Sequence, residues 1–234
     1  MTSSEKTRFL FLSFFKMWGL YILFYITVFI LSIWIPELKS DTYEDNNLNE
    51  LLQNNSFKLF VLACIFAPII EEMMFRTLVK PTHSDIILFI CSWPVFIGFH
   101  FLSTKIHWGI TLAFSAVLLF TLFYILKHLI TENHTQRLRN FLHKHLTIIL
   151  ILVSIIFGLV HINNYVDTFI IDLALIVLII PRIISGFLMG WVKIKNQGLI
   201  WSIGLHFMNN IFIIGIGILI SKKAETLSLV YVSL

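Results

Sequence analysis

The chain has 234 residues, 58% of them hydrophobic and 13% charged, with a formal net charge of +4 and a mean hydropathy of +0.88. Soluble domains average about 25% charged residues, so this composition excludes a soluble globular enzyme and any separate soluble domain. The positive balance matches the lysine- and arginine-rich cytoplasmic loops of membrane proteins, which makes the lipid bilayer, and no nucleic acid, the implied partner.

Apolar runs near the ~20 residues of a membrane-spanning helix recur along the whole length. They predict an all-α fold, a polytopic transmembrane helical bundle of about seven to eight spans. The first run, Phe9–Ile35, follows Glu5, Lys6 and Arg8. It is too long for a signal-peptide apolar region and lacks a small-residue cleavage site, so it reads as a retained anchor. Further spans are predicted at Phe57–Val79, Ile86–Leu102, Trp108–Leu126, Leu146–Asn163, Phe169–Val192 and Gly198–Ile220. Pro181-Arg182 interrupts the sixth, which reads as one kinked helix or two short pieces. Residues 1–56 then form the N-terminal anchor and an acidic loop, 57–220 a core with an inserted region at about 82–145, and 221–234 a C-terminal tail.

Loop charges set the expected orientation. Lys6, Arg8 and Lys16 flank the first span against Glu5, whereas the first loop carries Glu37, Asp41, Glu44, Asp45 and Glu50 against Lys39 and Lys58. Lys80 lies in the second loop, Lys127, Arg137, Arg139 and Lys144 in the fourth, and Lys193 and Lys195 in the sixth. The positive-inside rule places the N-terminus in the cytoplasm of a multi-pass cell-membrane protein and the C-terminus outside, with Lys222-Lys223 pulling the other way. Cys64 and Cys91 lie in apolar segments and read as small core residues.

Few ionisable groups fall at membrane depth. Among nine histidines only His100, His161 and His206 do, and among thirteen acidic residues only Glu71, Glu72 and Asp172. Each costs roughly 2.5–3.5 kcal/mol to insert and is a functional candidate by default. In "APIIEEMMFR" (67–76), Glu72 and Arg76 are four apart and share a helix face, the favoured order for an ion pair. Glu71 points about 100° away, free to face a cavity. Pro68 frees backbone groups, which suits a helix that borders such a cavity. In "FGLVHINNY" (157–165), Phe157 and His161 share a face, and in "HFMNN" (206–210) so do His206 and Asn210. A carboxylate, two imidazoles and a carboxamide from three helices suit hydrolysis of an amide, with a base for water and donors for the oxyanion. HExxH, GxSG and GxGD motifs are absent from the sequence.

These residues resemble the CAAX-processing and bacteriocin-processing (CPBP, or Abi) family of intramembrane proteases. "EEMMFR" is similar to its EExxxR motif, "FGLVH" to FxxxH and "HFMNN" to HxxxN, and "GFLMGWVKIKNQGLIWSIGLH" also looks like the family. The resemblance covers about 67 to 210. It implies Glu71 as the base that activates water, assisted by His161, with His206 and Asn210 stabilising the oxyanion and Glu72 and Arg76 supporting. One departure is the gap of about ninety residues between Glu71 and His161, long for the family. "FIGFH" supplies a rival FxxxH in Phe96 and His100; the wording of "FGLVHINN" favours His161. Glu71, His161 and His206 would be the three ligands if zinc took part, but a glutamate with two imidazoles can activate water directly, and no metal or other cofactor is the favoured expectation.

The expected function is therefore an intramembrane endopeptidase acting on a membrane-associated protein or peptide. A transporter or proton relay using Glu71, Glu72, Asp172 and Arg182 is the rival reading, and a non-catalytic immunity or binding member of the same family is another. Depth arithmetic opposes a shared site: Glu71 lies ~21 Å along the second span and His161 ~22 Å along the fifth. If those spans run antiparallel, the side chains miss by several ångströms unless the second helix is tilted or kinked and extends past Arg76, or the inserted region holds a different number of spans.

Overall fold

The computed structural model describes residues 1–38, 43, 55–103, 106–166 and 172–232, with only the backbone described at 103 and from 220 onward. Lys39, Asp41, Glu44, Asp45 and Glu50 of the expected acidic loop lie outside the described residues, as do the side chains of Lys222 and Lys223. Among the described residues all regular structure is helical.

Helix α1 (Ser3–Leu31) opens on a capping box in which Thr2 and Glu5 satisfy each other's backbone donors. One narrow stripe is covered: Met17 and Tyr21 pack with Leu188, Met189, Val192 and Leu205. The remaining face carries exposed apolar side chains such as Leu23 and Phe29, as a helix in lipid requires. The expected second span is a continuous run of three helix types: α2 (Ser56–Leu59), a π-helical segment (Phe60–Phe66), α3 (Ala67–Phe75) and a 3-10 turn (Arg76–Leu78). Lys80, with φ 50°, turns the chain into α4 (His83–Ser103).

The region expected to be inserted forms α4, α5 (Trp108–Leu129) and α6 (Glu132–Lys144). The first two pack on each other, with α4 against α3. The basic fourth loop is mostly the polar helix α6. It is anchored at the start of α4, where His83 Nδ1 meets Thr135 Oγ1 at 3.0 Å and His143 Nε2 donates to Pro81 O at 3.1 Å. These two histidines are thus bonded, not simply solvated.

Helix α7 (Leu146–Val160) runs into a 3-10 turn (His161–Asn164) and packs most extensively on α8 (Leu173–Asn196). A Cβ at Gly186 would lie 3.2 Å from Ser154 Cα, so α8 approaches the α7 backbone through that glycine. Pro181 sits inside α8 without splitting it; the two-piece reading does not hold, because neighbouring helices support a proline within a spanning helix. The expected start at Phe169 lies outside the described residues. Helix α9 (Leu199–Val232) continues through most of the expected tail.

Six of these helices are long and apolar enough to cross a membrane: Ser3–Leu31, His83–Leu102, Trp108–Leu129, Leu146–Asn164, Leu173–Asn196 and Leu199–Leu219. The mixed run at 56–78 occupies the place of the seventh.

Candidate active site

Pro68 shapes the helix that carries both glutamates. Within the π segment Ala67 N–H donates to Leu62 O, five residues back. The next bond in that register would need an N–H from Pro68, which has none. Ala63 O instead accepts from Asn210 Nδ2 of α9 at 2.8 Å. A missing backbone donor thus ties the HxxxN helix to the glutamate helix.

One turn further on, Glu72 and Arg76 are both fully buried, with Arg76 Nε 3.3 Å from Glu72 Oε2. The guanidinium stacks 4.0 Å from the centroid of Phe157 and reaches Met189 Sδ at 3.5 Å. Glu72 Oε1 lies 3.0 Å from His206 Nδ1. Since an ionised carboxylate only accepts, Nδ1 carries the proton and Nε2 is turned the other way. Glu72 is therefore more than a partner for Arg76; it also orients an imidazole.

His161 is fixed by the same logic. Its Nδ1 donates to Phe157 O at 2.6 Å, one turn back, and its ring meets that of Phe157 at 4.7 Å between centroids. The four-residue spacing thus has two physical roles, a ring contact and a backbone acceptor. Both imidazoles present Nε2 to one oxygen: Glu71 Oε2 is 3.7 Å from His161 Nε2 and 3.8 Å from His206 Nε2. That oxygen is buried and accepts no hydrogen bond from the protein. The Glu71 side chain nevertheless keeps 24% of its surface accessible whereas Glu72 keeps none, so of the two acids only Glu71 meets the cavity.

The expected depth mismatch is absent, and the packing explains why. Val79 packs against Leu150, so the end of the glutamate run is level with a point one turn inside α7, not with its start. Measured from that level, Glu71 lies about 13.5 Å up, counting 2.0 Å per residue for the 3-10 turn, and His161 about 16.5 Å. Side chains bridge the remaining difference.

The glutamate helix is also held at its far end by a residue assigned to a loop in the sequence. Lys193 is 4% exposed, pairs with Asp85 at 3.1 Å and donates to Arg76 O at 2.8 Å. This corrects the placement of Lys193 in the sixth loop: α8 extends to Asn196, and the ammonium satisfies carbonyl acceptors at the end of the helical run. Phe96 and His100 lie exposed on α4 and do not line the cavity. Asp172 caps the start of α8 through Leu175 N–H and accepts from Tyr43 Oη, which places it outside the cavity as well.

The cavity measures about 800 Å³ and reaches Glu71, His161, His206 and Asn210, within the range of small-molecule sites. A catalytic zinc needs three protein donors within about 2.0–2.2 Å of one point. Among the described residues no three His, Cys, Asp or Glu groups are gathered so that they could hold a metal ion. No step is derived through a metal.

Fold and site together define a helical membrane protein with a buried carboxylate–imidazole cluster facing a cavity. A family model described as type II CAAX prenyl endopeptidase Rce1-like matches residues 53–212, more than half of the chain. The chain belongs to that family, a family of CAAX-type intramembrane proteases. No curated protein and no solved structure matched the chain.

Proposed function

We propose that the chain is an intramembrane endopeptidase that hydrolyses a peptide bond of a membrane-associated protein or peptide through water activated by Glu71 with His161. The observation that supports it most is the convergence of two imidazole Nε2 atoms, each held by a bond at Nδ1, on Glu71 Oε2. Glu71 accepts a proton from water as the oxygen attacks the substrate carbonyl, and His161 shares in that transfer. His206, when doubly protonated, and the Asn210 N–H not given to Ala63 hold the developing oxyanion. The proton then passes to the leaving amine as the C–N bond breaks. Glu72, Arg76 and Phe157 hold these groups in register. The enzyme resides in the cell membrane with a cytoplasmic N-terminus.

The transporter reading needs Asp172 on the same path as Glu71 and Arg182, but Asp172 caps a helix outside the cavity.

His161→Ala is expected to abolish peptide cleavage whereas His100→Ala leaves it unchanged; the reverse pattern in a purified assay would reassign the FxxxH residue. Asn210→Ala should lower turnover about 10²–10³-fold, the usual cost of an oxyanion donor. Loss below threefold at unchanged thermal stability would remove Asn210 from that role. Strong chelation should leave cleavage intact. Loss of activity on chelation, restored by added zinc, would overturn the metal-free mechanism.

A further inference from the structure

Arg182 faces the same cavity as the carboxylate–imidazole cluster, yet the mechanism gives it no task. Its Nη2 donates to Tyr165 Oη at 2.8 Å, and its guanidinium lies 5.7 Å from the centroid of that ring. A guanidinium carries five donors, and a cation at membrane depth is costly unless it meets an anion. The other cations in described ion pairs have carboxylates: Arg76 has Glu72, Lys193 has Asp85 and Arg139 has Glu132. Among the described residues no carboxylate lies within 4 Å of Arg182, and Glu71, in the same cavity, is the acid whose charge it feels. Arg182 is half-buried in a wall of the cavity, so an anion that enters can reach it.

Position narrows the choice of anion. Tyr165 stands four residues past His161, across the 3-10 turn His161–Asn164, or about 8 Å further along at 2.0 Å per residue. An extended peptide covers about 3.3–3.6 Å per residue, so a carboxylate two or three residues beyond a scissile bond at Glu71 arrives near Arg182. A CAAX sequence is by definition C-terminal and ends in such an α-carboxylate. Tyr21, Ile22, Tyr25 and Ile26 of α1 line the cavity as well. They lie outside the residues matched to the family. Guanidinium and carboxylate match as a planar, bidentate pair.

Resting on the peptidase reading above, we infer that Arg182, positioned by Tyr165, binds the C-terminal α-carboxylate of the substrate peptide and so restricts cleavage to a site two or three residues from its end. Arg182 is a specificity-determining residue on this account.

The test uses a farnesylated CAAX-type peptide made with a free or an amidated C-terminus, presented to the full chain in detergent. Cleavage (kcat and KM) and direct binding to Glu71→Gln protein are both measured. The free acid should be preferred about ten- to a hundredfold, mainly in KM and in binding, the range for hydrogen bonds to charged groups. Arg182→Gln should abolish that preference, leaving acid and amide alike. Tyr165→Phe, which keeps the guanidinium but not its anchor, should reduce the preference without removing it, and it serves if Arg182→Gln fails to fold. Equal use of acid and amide by the parent protein, or a preference that survives in Arg182→Gln, overturns the inference while leaving the peptidase reading intact. So does loss of a co-purifying phospholipid from Arg182→Gln, seen by native mass spectrometry, with no change in peptide preference. Selective binding of the acid without any cleavage supports the carboxylate site and removes the peptidase reading instead.

Discussion

Glu71→Gln is expected to leave a folded protein that no longer turns over. General-base catalysis contributes about 10²–10⁴-fold, and an amide cannot accept the proton that water must lose. The fold should tolerate the change because Glu71 holds nothing in place. The two imidazole Nε2 atoms are 3.7 and 3.8 Å from its Oε2, beyond hydrogen-bond distance, and that oxygen accepts no protein donor. Replacing that oxygen with an uncharged amide removes a buried charge and breaks no bond. The check is turnover per folded molecule alongside thermal unfolding in detergent. Unchanged turnover would exclude Glu71 as the base, and collapse of the fold would show that it has a structural partner.

Glu72→Gln should fail in the opposite way. The pair with Arg76 is fully buried, and removing one charge of such a pair typically costs about 3–5 kcal/mol because the other is left uncompensated. Arg76 cannot escape to water: it is packed against Phe157 and Met189. The variant should express poorly and unfold well below the parent protein. Turnover of the folded fraction should also fall, since His206 loses the charged acceptor that fixes Nδ1, but by less than in Glu71→Gln. An unfolding temperature equal to that of the parent would show that Arg76 is satisfied by other groups.

The contrast between adjacent glutamates is legible in the sequence, because helical geometry puts Glu72 with Arg76 and turns Glu71 aside. The Phe157–His161 and His206–Asn210 spacings were equally legible as shared helix faces. Their partners were not. That Glu72 would meet His206 Nδ1, or that Asn210 would bond Ala63 O, depends on which helices meet and at what height, and one sequence carries no such register. The same gap produces the expected depth mismatch: antiparallel spans of equal height put the end of the second level with the start of the fifth, whereas Val79 packs one turn inside α7. Lys193 misled for another reason. A lysine at the end of an apolar run reads as loop, and only packing reveals Asp85 and the Arg76 carbonyl around it. Arg182 stood beside Pro181 as a possible helix break; its place in the cavity wall comes from the continuity of α8.

The central claim is that Glu71 activates water for peptide hydrolysis within the membrane, and the most direct measurement follows a single bond. Parent and Glu71→Gln proteins, reconstituted in lipid, are incubated with a farnesylated CAAX-type peptide in H₂¹⁸O, and the products are read by mass spectrometry. The account predicts two fragments from the parent protein, one ¹⁸O atom in the new carboxylate, and no fragments above background from Glu71→Gln. Equal cleavage by both proteins, or no cleavage of any lipidated or unmodified peptide by a folded parent protein, would contradict it.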